Sequence, residues 1–327
     1  MNKKTIIGYA IAGCMSFMAL TYGNTAEARQ VVDDRGIQVE VSETPQRIAS
    51  LSYFATDVAL ALGIMPVATT YMVADRHPEF LRGLTREMAQ LGQRAKPNME
   101  LLTEVAPDLI VAMRRYTEGN AEQFQAIAPY LAYDMELLDR SYTDTATLSE
   151  LLGKPEQGKE LNGSFQSLMA KMAAEAPEGV HPSFVMMWGG QSPFAFHTEN
   201  TTASIVSALG GENIVGPMTT DGKFGLQLSL EALLERDPDV IFVYDYGPDR
   251  AHESSPIWGM LSAVKNGRVH YVGDQWVETN GPIARQIVLL QAGHYLYPDV
   301  FPEVDVEAEA SKLIPESLHN QELQRKQ

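Results

Sequence analysis

Along most of this chain, apolar residues come in short unbroken runs, separated by stretches in which they recur every three or four positions. An unbroken run belongs to a strand buried on both faces, and the wider spacing belongs to one face of a helix. On that rule residues 30–41 form a small hairpin, 47–51 the first buried strand and 55–62 a helix closed by Gly63. Residues 67–70 are the next strand, with Tyr71 and Arg76 in the loop at its carboxyl end. Farther on come a helix over 120–130 that ends near Pro129, a strand over 130–135 and a helix over 145–152. A second series follows: a strand over 183–188, a helix over 203–209 ended by Gly210 and Gly211, a loop over 219–225 and a strand over 269–272. A late helix over 281–297 and a terminal one over 304–317 complete it. Strand and helix in alternation make doubly wound α/β layers.

One unit occurs twice. Asn98, Glu100, Leu101, Pro107 and Asp108 precede the apolar run Leu109–Met113, and Ser229, Glu231, Ala232, Pro238 and Asp239 precede Val240–Tyr244 at an offset of 131 residues. Each copy is a short helix, a Pro-Asp turn and a strand of parallel-sheet type. The helix runs antiparallel to the strand after it, so its N-terminus lies on the side of the strand's carboxyl end, where such layers bind ligands. Glu100 and Glu231 follow the capping residues Asn98 and Ser229 and stand on that side. Acidic residues are also favoured in any first helical turn, so their chemistry alone leaves a structural role open.

Between the copies, Leu161, Phe165, Leu168, Met169 and Met172 recur at helical spacing, with Pro155 before them and Pro177 and Gly179 beyond. A helix of that extent is about 30 Å long. It divides the chain into a leader of residues 1–28, an N-terminal lobe of 29–153, a connecting helix of 154–177 and a C-terminal lobe of 178–327.

Lys3 and Lys4, an apolar stretch over 5–22 and Ala26-Glu27-Ala28 have the form of a secretory signal. Ile11-Ala12-Gly13-Cys14 also matches a lipoprotein box, and the alternative is a lipid anchor on Cys14, the single cysteine. The apolar run continues past Cys14, which favours cleavage after Ala28 and a periplasmic chain without a thiol. The full chain carries a formal net charge of −17. That sign argues against nucleic acid and anionic membrane surfaces as partners.

The run Gly92-Gln93-Arg94-Ala95-Lys96-Pro97-Asn98-Met99-Glu100 with Pro107-Asp108 resembles the N-lobe signature of periplasmic substrate-binding proteins of ABC importers for ferric siderophores and vitamin B12. Ser229-Leu230-Glu231-Ala232 with Pro238-Asp239, Phe194-Ala195-Phe196-His197 and Ala208-Leu209-Gly210-Gly211 are similar to further features of that family, and the ferric dicitrate branch is nearest in character. The resemblance implies two doubly wound lobes joined by a single long backbone helix, a monomer, a cleft for a ferric siderophore, and no cofactor apart from the iron inside the cargo. It also implies that Glu100 and Glu231 meet arginines on the two halves of a dimeric inner-membrane permease.

An anionic iron chelate calls for fixed cations, best supplied by arginine, and for aromatic walls. The N-lobe candidates are Arg94, Arg114, Arg115 and Tyr116; those of the C-lobe are Trp188, Lys223, Phe224, Tyr244, Tyr246 and Trp276. Arg94 and Tyr116 match the family's ligand contacts in position. Where ferric dicitrate relatives carry arginines after the position of Trp276, this chain has Val277-Glu278-Thr279-Asn280. The departure points away from ferric dicitrate toward another anionic iron chelate.

Other classes fit less well. Seven histidines, at 77, 181, 197, 252, 270, 294 and 319, include no pair at ligand spacing, so direct metal binding is not expected. Neither G-x-S-x-G nor H-E-x-x-H occurs, and no enzymatic activity is expected. A cobalamin- or haem-binding importer component and a periplasmic hydrolase are the alternatives.

Overall fold

The computed structural model describes residues 28–190, 192–218, 223–248 and 250–318. Of the expected leader, all but Ala28 lies outside them, Cys14 included, as do residues 219–222 of the expected loop.

A hairpin of β1 (Ala28–Val32) and β2 (Gln38–Ser42) opens the chain. The first large sheet follows, built from β3 (Ile48–Leu51), β4 (Ala68–Tyr71), β5 (Ala89–Gln93), β6 (Lys96–Pro97), β7 (Leu109–Met113) and β8 (Tyr130–Tyr133). Its spatial order is β6-β5-β4-β3-β7-β8, and every pairing is parallel except that of the short edge strand β6. All residues of β3, β7 and β8 are buried, as unbroken apolar runs require of strands covered on both faces. Around this sheet lie α1 (Tyr53–Ala61), α2 (Met99–Glu104), α3 (Arg114–Thr117), α4 (Ala121–Gln125) and α5 (Leu138–Leu151). α5 begins before the helix expected at 145, because its polar first turn, with Asp139 and Arg140, carries no apolar spacing.

After α6 (Pro155–Glu175) comes the second large sheet: β9 (Ser183–Trp188), β10 (Phe194–Phe196), β11 (Glu212–Asn213), β12 (Gly225–Gln227), β13 (Val240–Tyr244) and β14 (Val269–Val272). Its order is β12-β10-β9-β13-β14, with β11 beside the start of β9. β9, β11, β13 and β14 are parallel, whereas β10 and β12 run antiparallel to their neighbours. The five residues between β9 and β10 are too few for a crossover, so the chain turns back on itself. α7 (Thr201–Ala208), α8 (Leu230–Arg236), α9 (Ser262–Lys265), α10 (Pro282–Leu296) and α11 (Val306–Leu313) complete this half in sequence.

The repeat survives in detail. The Asn98 side chain caps α2 by accepting from the Leu101 N–H, and Ser229 caps α8 by accepting from the Ala232 N–H. Ala106 and Asp237, again 131 apart, both take a left-handed backbone at the turn, with φ of 44° and 38°. Asp108 accepts from the N–H groups of Gln46 and Arg47 just before β3, and Asp239 accepts from the Ser183 N–H and hydroxyl at the start of β9. In each half, the aspartate of the Pro-Asp turn ties the repeat strand to its central neighbour.

α6 is the covalent link between the halves. Gly158, Phe165 and Met172 are its buried residues, seven apart, so it presents one narrow stripe inward. Gly158 lies against Ser149 of α5 so closely that an added Cβ would meet its Oγ at 2.3 Å. Phe165 and Met172 join the core of the second half, while Leu161 packs against the first. A second helix shares the bridging. Ile283, Ala284 and Ile287 of α10 pack with Tyr53, Leu60 and Phe80 of the first half, and Val288, Leu289, Ala292 and Leu296 enter the second. Asp57 of α1 accepts the Ile283 and Ala284 N–H groups at the N-terminus of α10, at 2.8 Å each. Buried Arg285 donates to Ser141 of α5 and Asn162 of α6, and burial pushes its pKa down to about 10.

The last segment of the chain packs away from the second sheet. Ala310 of α11, with Ile314 and Leu318 after it, packs in the cluster of Tyr53, Phe80 and Leu84, so the chain returns to the N-terminal half. The apolar residues of that last segment find the cover there that burial requires.

Candidate functional site

Between the two sheets lies a cavity of ≈ 340 Å³ at the carboxyl ends of strands from both. Arg115 and Tyr116, directly after β7, and Met135 and Glu136, just beyond β8, line it from the first half, with Arg94 from the turn after β5. From the second half come Trp188 at the tip of β9, Phe194 and Phe196 of β10, Phe224, the N-terminus of α7 and the segment after Trp276. A further cavity of ≈ 380 Å³ adjoins it, sharing Arg94, Tyr116 and Trp188 and adding Tyr71, Gln93 and Tyr246.

The aromatic residues form two groups. Phe224 lies 5.0 Å from Phe194 and 5.7 Å from Phe196 between ring centroids, and Trp188 contacts Tyr244 at 4.5 Å and Tyr246 at 5.8 Å. Arg115 stacks on Phe224 across the gap, with its guanidinium carbon 4.0 Å from the ring centroid. Tyr116 receives both arginines, Arg94 at 5.1 Å and Arg115 at 4.9 Å. Burial works to raise the Tyr116 phenol, but the charges of Arg94 and Arg115 outweigh it and hold the group below its ordinary value.

Both arginines already have carboxylates. Arg94, buried, donates to Glu278, whose other oxygen accepts the Tyr53 N–H; Arg115 donates to Glu136. Burial raises the Glu136 carboxyl despite the opposing charge of Arg115. Outside the cavity, Arg76 ties the halves again, with Nε 3.2 Å from Asp274 Oδ2 and Nη2 2.7 Å from the Tyr244 hydroxyl.

Of the ligand residues expected from sequence, Arg94, Arg115, Tyr116, Trp188 and Phe224 meet in the main cavity and Tyr246 in its neighbour. Four do not. Arg114 turns outward to the Asp34 carbonyl, Glu118 and Asp134, because consecutive residues of α3 face different directions. Lys223 is exposed and lines neither cavity. Tyr244 is buried in the core and donates to Asp274. Trp276 is fully buried, 4.6 Å from Phe242, and donates to Gln291, a partner its indole N–H needs in an apolar core. Sequence reasoning missed Met135, Glu136, Phe194, Phe196, Val277 and the polar group of Asn200, Thr201, Thr202, Thr279 and Asn280; for Glu136 the available signal was its place just past a strand end.

Glu100 and Glu231 are exposed in the first turns of α2 and α8, and neither forms an ion pair among the described residues. Among those residues no cluster of three or more His, Cys, Asp or Glu could hold a metal, and no helix is long and apolar enough to cross a membrane.

The family model described as "Periplasmic binding protein" matches residues 48–276, which span both sheets and the connecting helix. The chain belongs to this family. A periplasmic binding protein so built is a substrate-binding component of the ABC importer type that includes siderophore and vitamin B12 carriers, and not an enzyme. It is 27% identical over 285 residues to the Fe(3+)-citrate-binding protein YfmC of Bacillus subtilis, covering 83% of this chain and 88% of that one. With the Fe(3+) dicitrate-binding periplasmic protein FecB of Escherichia coli it shares 27% identity over 274 residues, covering 80% and 88%. Among solved structures, Staphylococcus aureus SirA complexed with staphyloferrin B matches this periplasmic binding protein with a TM-score of 0.66 at 24% identity, over 81% of this chain and 98% of SirA. That last likeness is one of fold.

Proposed function

We propose that this periplasmic binding protein captures a ferric siderophore between its lobes and delivers it to the permease of an ABC importer. The observation that carries the reading is the cavity at the facing strand ends, lined by Arg94 and Arg115 and by Tyr116, Trp188, Phe194, Phe196 and Phe224. An aromatic wall with a few placed polar groups suits a compact chelate with apolar surface. The iron stays inside the cargo, and the protein needs no cofactor of its own. Relatives named for ferric citrate binding, YfmC and FecB, support iron as the cargo. Exposed Glu100 and Glu231, alike in their two halves, are the groups we assign to contact with the permease, as a symmetric partner requires matching charges at equivalent places.

Titration of the purified protein with ferric chelates, cobalamin, haem and free zinc, followed by intrinsic fluorescence, tests the cargo. Saturable quenching by a ferric chelate at submicromolar concentration is the expected result. Saturation by cobalamin or haem alone, or by zinc alone, overturns it.

A further inference from the structure

We infer that the cavity selects a ferric chelate of near-zero net charge and receives a neutral carbonyl or hydroxyl group of that chelate at Asn280 and Thr201. This deepens the proposed function and rests on it.

The first support is the charge at the site. Arg94 and Arg115 are the cations of the cavity lining, and each is held by a carboxylate, Glu278 and Glu136 respectively. Among the described residues, the rest of the lining of both cavities is uncharged. The two pairs sum to no net charge: a polyanionic guest meets Glu136 in the lining beside Arg115, and the Arg94 it meets is already neutralised by Glu278, which lies outside the lining. Glu278 is 3% exposed at its side chain and also accepts the Tyr53 N–H, so it is fixed where it stands. The arginines are further occupied by ring faces: Arg94 and Arg115 lie over Tyr116, and Arg115 over Phe224. Releasing Arg94 for a ligand carboxylate leaves Glu278 buried without its partner, which is costly.

A second, independent support lies in the hydrogen-bonding groups. Asn280 and Thr201 line the cavity, are 4% and 1% exposed, and their Nδ2 and Oγ1 have no hydrogen-bond partner among the described residues. Their neighbours are satisfied: the Thr202 hydroxyl lies 2.8 Å from the Trp276 carbonyl oxygen, and the Asn200 side chain accepts the Thr202 N–H. Buried polar atoms in a folded protein find partners as a rule, and an amide N–H with a hydroxyl beside a ligand cavity is matched by a carbonyl or hydroxyl oxygen. The hydrogen-bonding capacity left open is therefore neutral, while the charged groups are already matched within the protein.

The test is a titration of the full protein with ferric probes graded in charge: a neutral ferric trihydroxamate, ferric citrate and a trianionic ferric triscatecholate. The neutral complex should bind at least ~100-fold more tightly than the trianion, the scale of like-charge opposition in a desolvated site. Glu136→Gln should narrow that gap by about tenfold through a gain for the trianion. Thr201→Val and Asn280→Leu should each weaken the neutral complex about tenfold with melting temperatures near that of the parent. The trianion binding tightest, or Glu136→Gln leaving the ratio unchanged, overturns the charge inference while leaving the siderophore reading intact. Undiminished affinity in folded Asn280→Leu and Thr201→Val overturns the assignment of the neutral group. Binding of cobalamin or haem to the exclusion of every ferric probe removes the underlying function and the inference with it.

Discussion

Arg94 and Glu278, 184 residues apart in sequence, form an ion pair across the gap between the two halves of the molecule. Their side chains are 10% and 3% exposed, so the pair is removed from water and neither member tolerates loss of the other. Arg94→Ala should therefore cost about 3 kcal/mol of stability, because it leaves a buried carboxylate uncompensated. The double variant Arg94→Ala with Glu278→Ala should lose less than the sum of the single losses, by ~1 kcal/mol or more. Urea denaturation of the four proteins measures this. Strictly additive losses would show that the two residues do not act as a pair.

The exposed glutamates separate delivery from capture. Glu100→Arg together with Glu231→Arg should abolish uptake in cells and association with the permease, while chelate affinity measured on the purified protein stays as in the parent. A loss of affinity would assign these residues to the cleft.

The duplicated caps give a stability prediction. Asn98→Ala and Ser229→Ala each remove the acceptor for one helix N–H, Leu101 in α2 and Ala232 in α8. Each should lower unfolding free energy by about 1 kcal/mol, and the effects should add because the sites lie in different halves. Differing losses well outside that range would mean that the two caps are not equivalent.

Asp57 supplies a pH dependence. Burial pushes its carboxyl up to about 7, against the pull of the Ile283 and Ala284 N–H groups and of Arg285. A carboxyl whose folded pKa lies above its unfolded value favours the folded state when protonated, so its contribution is complete below about pH 4 and is lost as the pH rises through 7. Asp144 on α5, raised by burial to about 7, acts in the same direction. Asp57→Asn should lose less stability than the parent between pH 5 and pH 7.5, in urea midpoints compared at the two values. Parallel slopes would show that Asp57 does not titrate in that range.

By itself the sequence determined the local units and their repetition. Continuous apolar runs have one stable setting in such a layer, between two covering faces, and strands 109–113 and 240–244 are legible for that reason. The offset of 131 residues carried the caps, the left-handed turn and the Pro-Asp clamp together, because each depends on residues within a few positions of it. The connecting helix was readable from Pro155 to Glu175, where a proline start and a single stripe of apolar residues coincide. Strand ends also marked where Arg115, Tyr116 and Trp188 would gather.

Tertiary structure alone decided the rest. Whether a residue just past a strand end turns into the gap or away from it depends on one step of helix rotation, which separates Arg115 from Arg114. Trp276 entered the core because Gln291, fifteen positions later on α10, supplies its hydrogen bond, and no local pattern announces that partner. The charge of the cavity was hidden for the same reason: Glu278 neutralises Arg94 from 184 residues away, so a count of arginines near the strand ends reads as a cationic site what folding makes a balanced one.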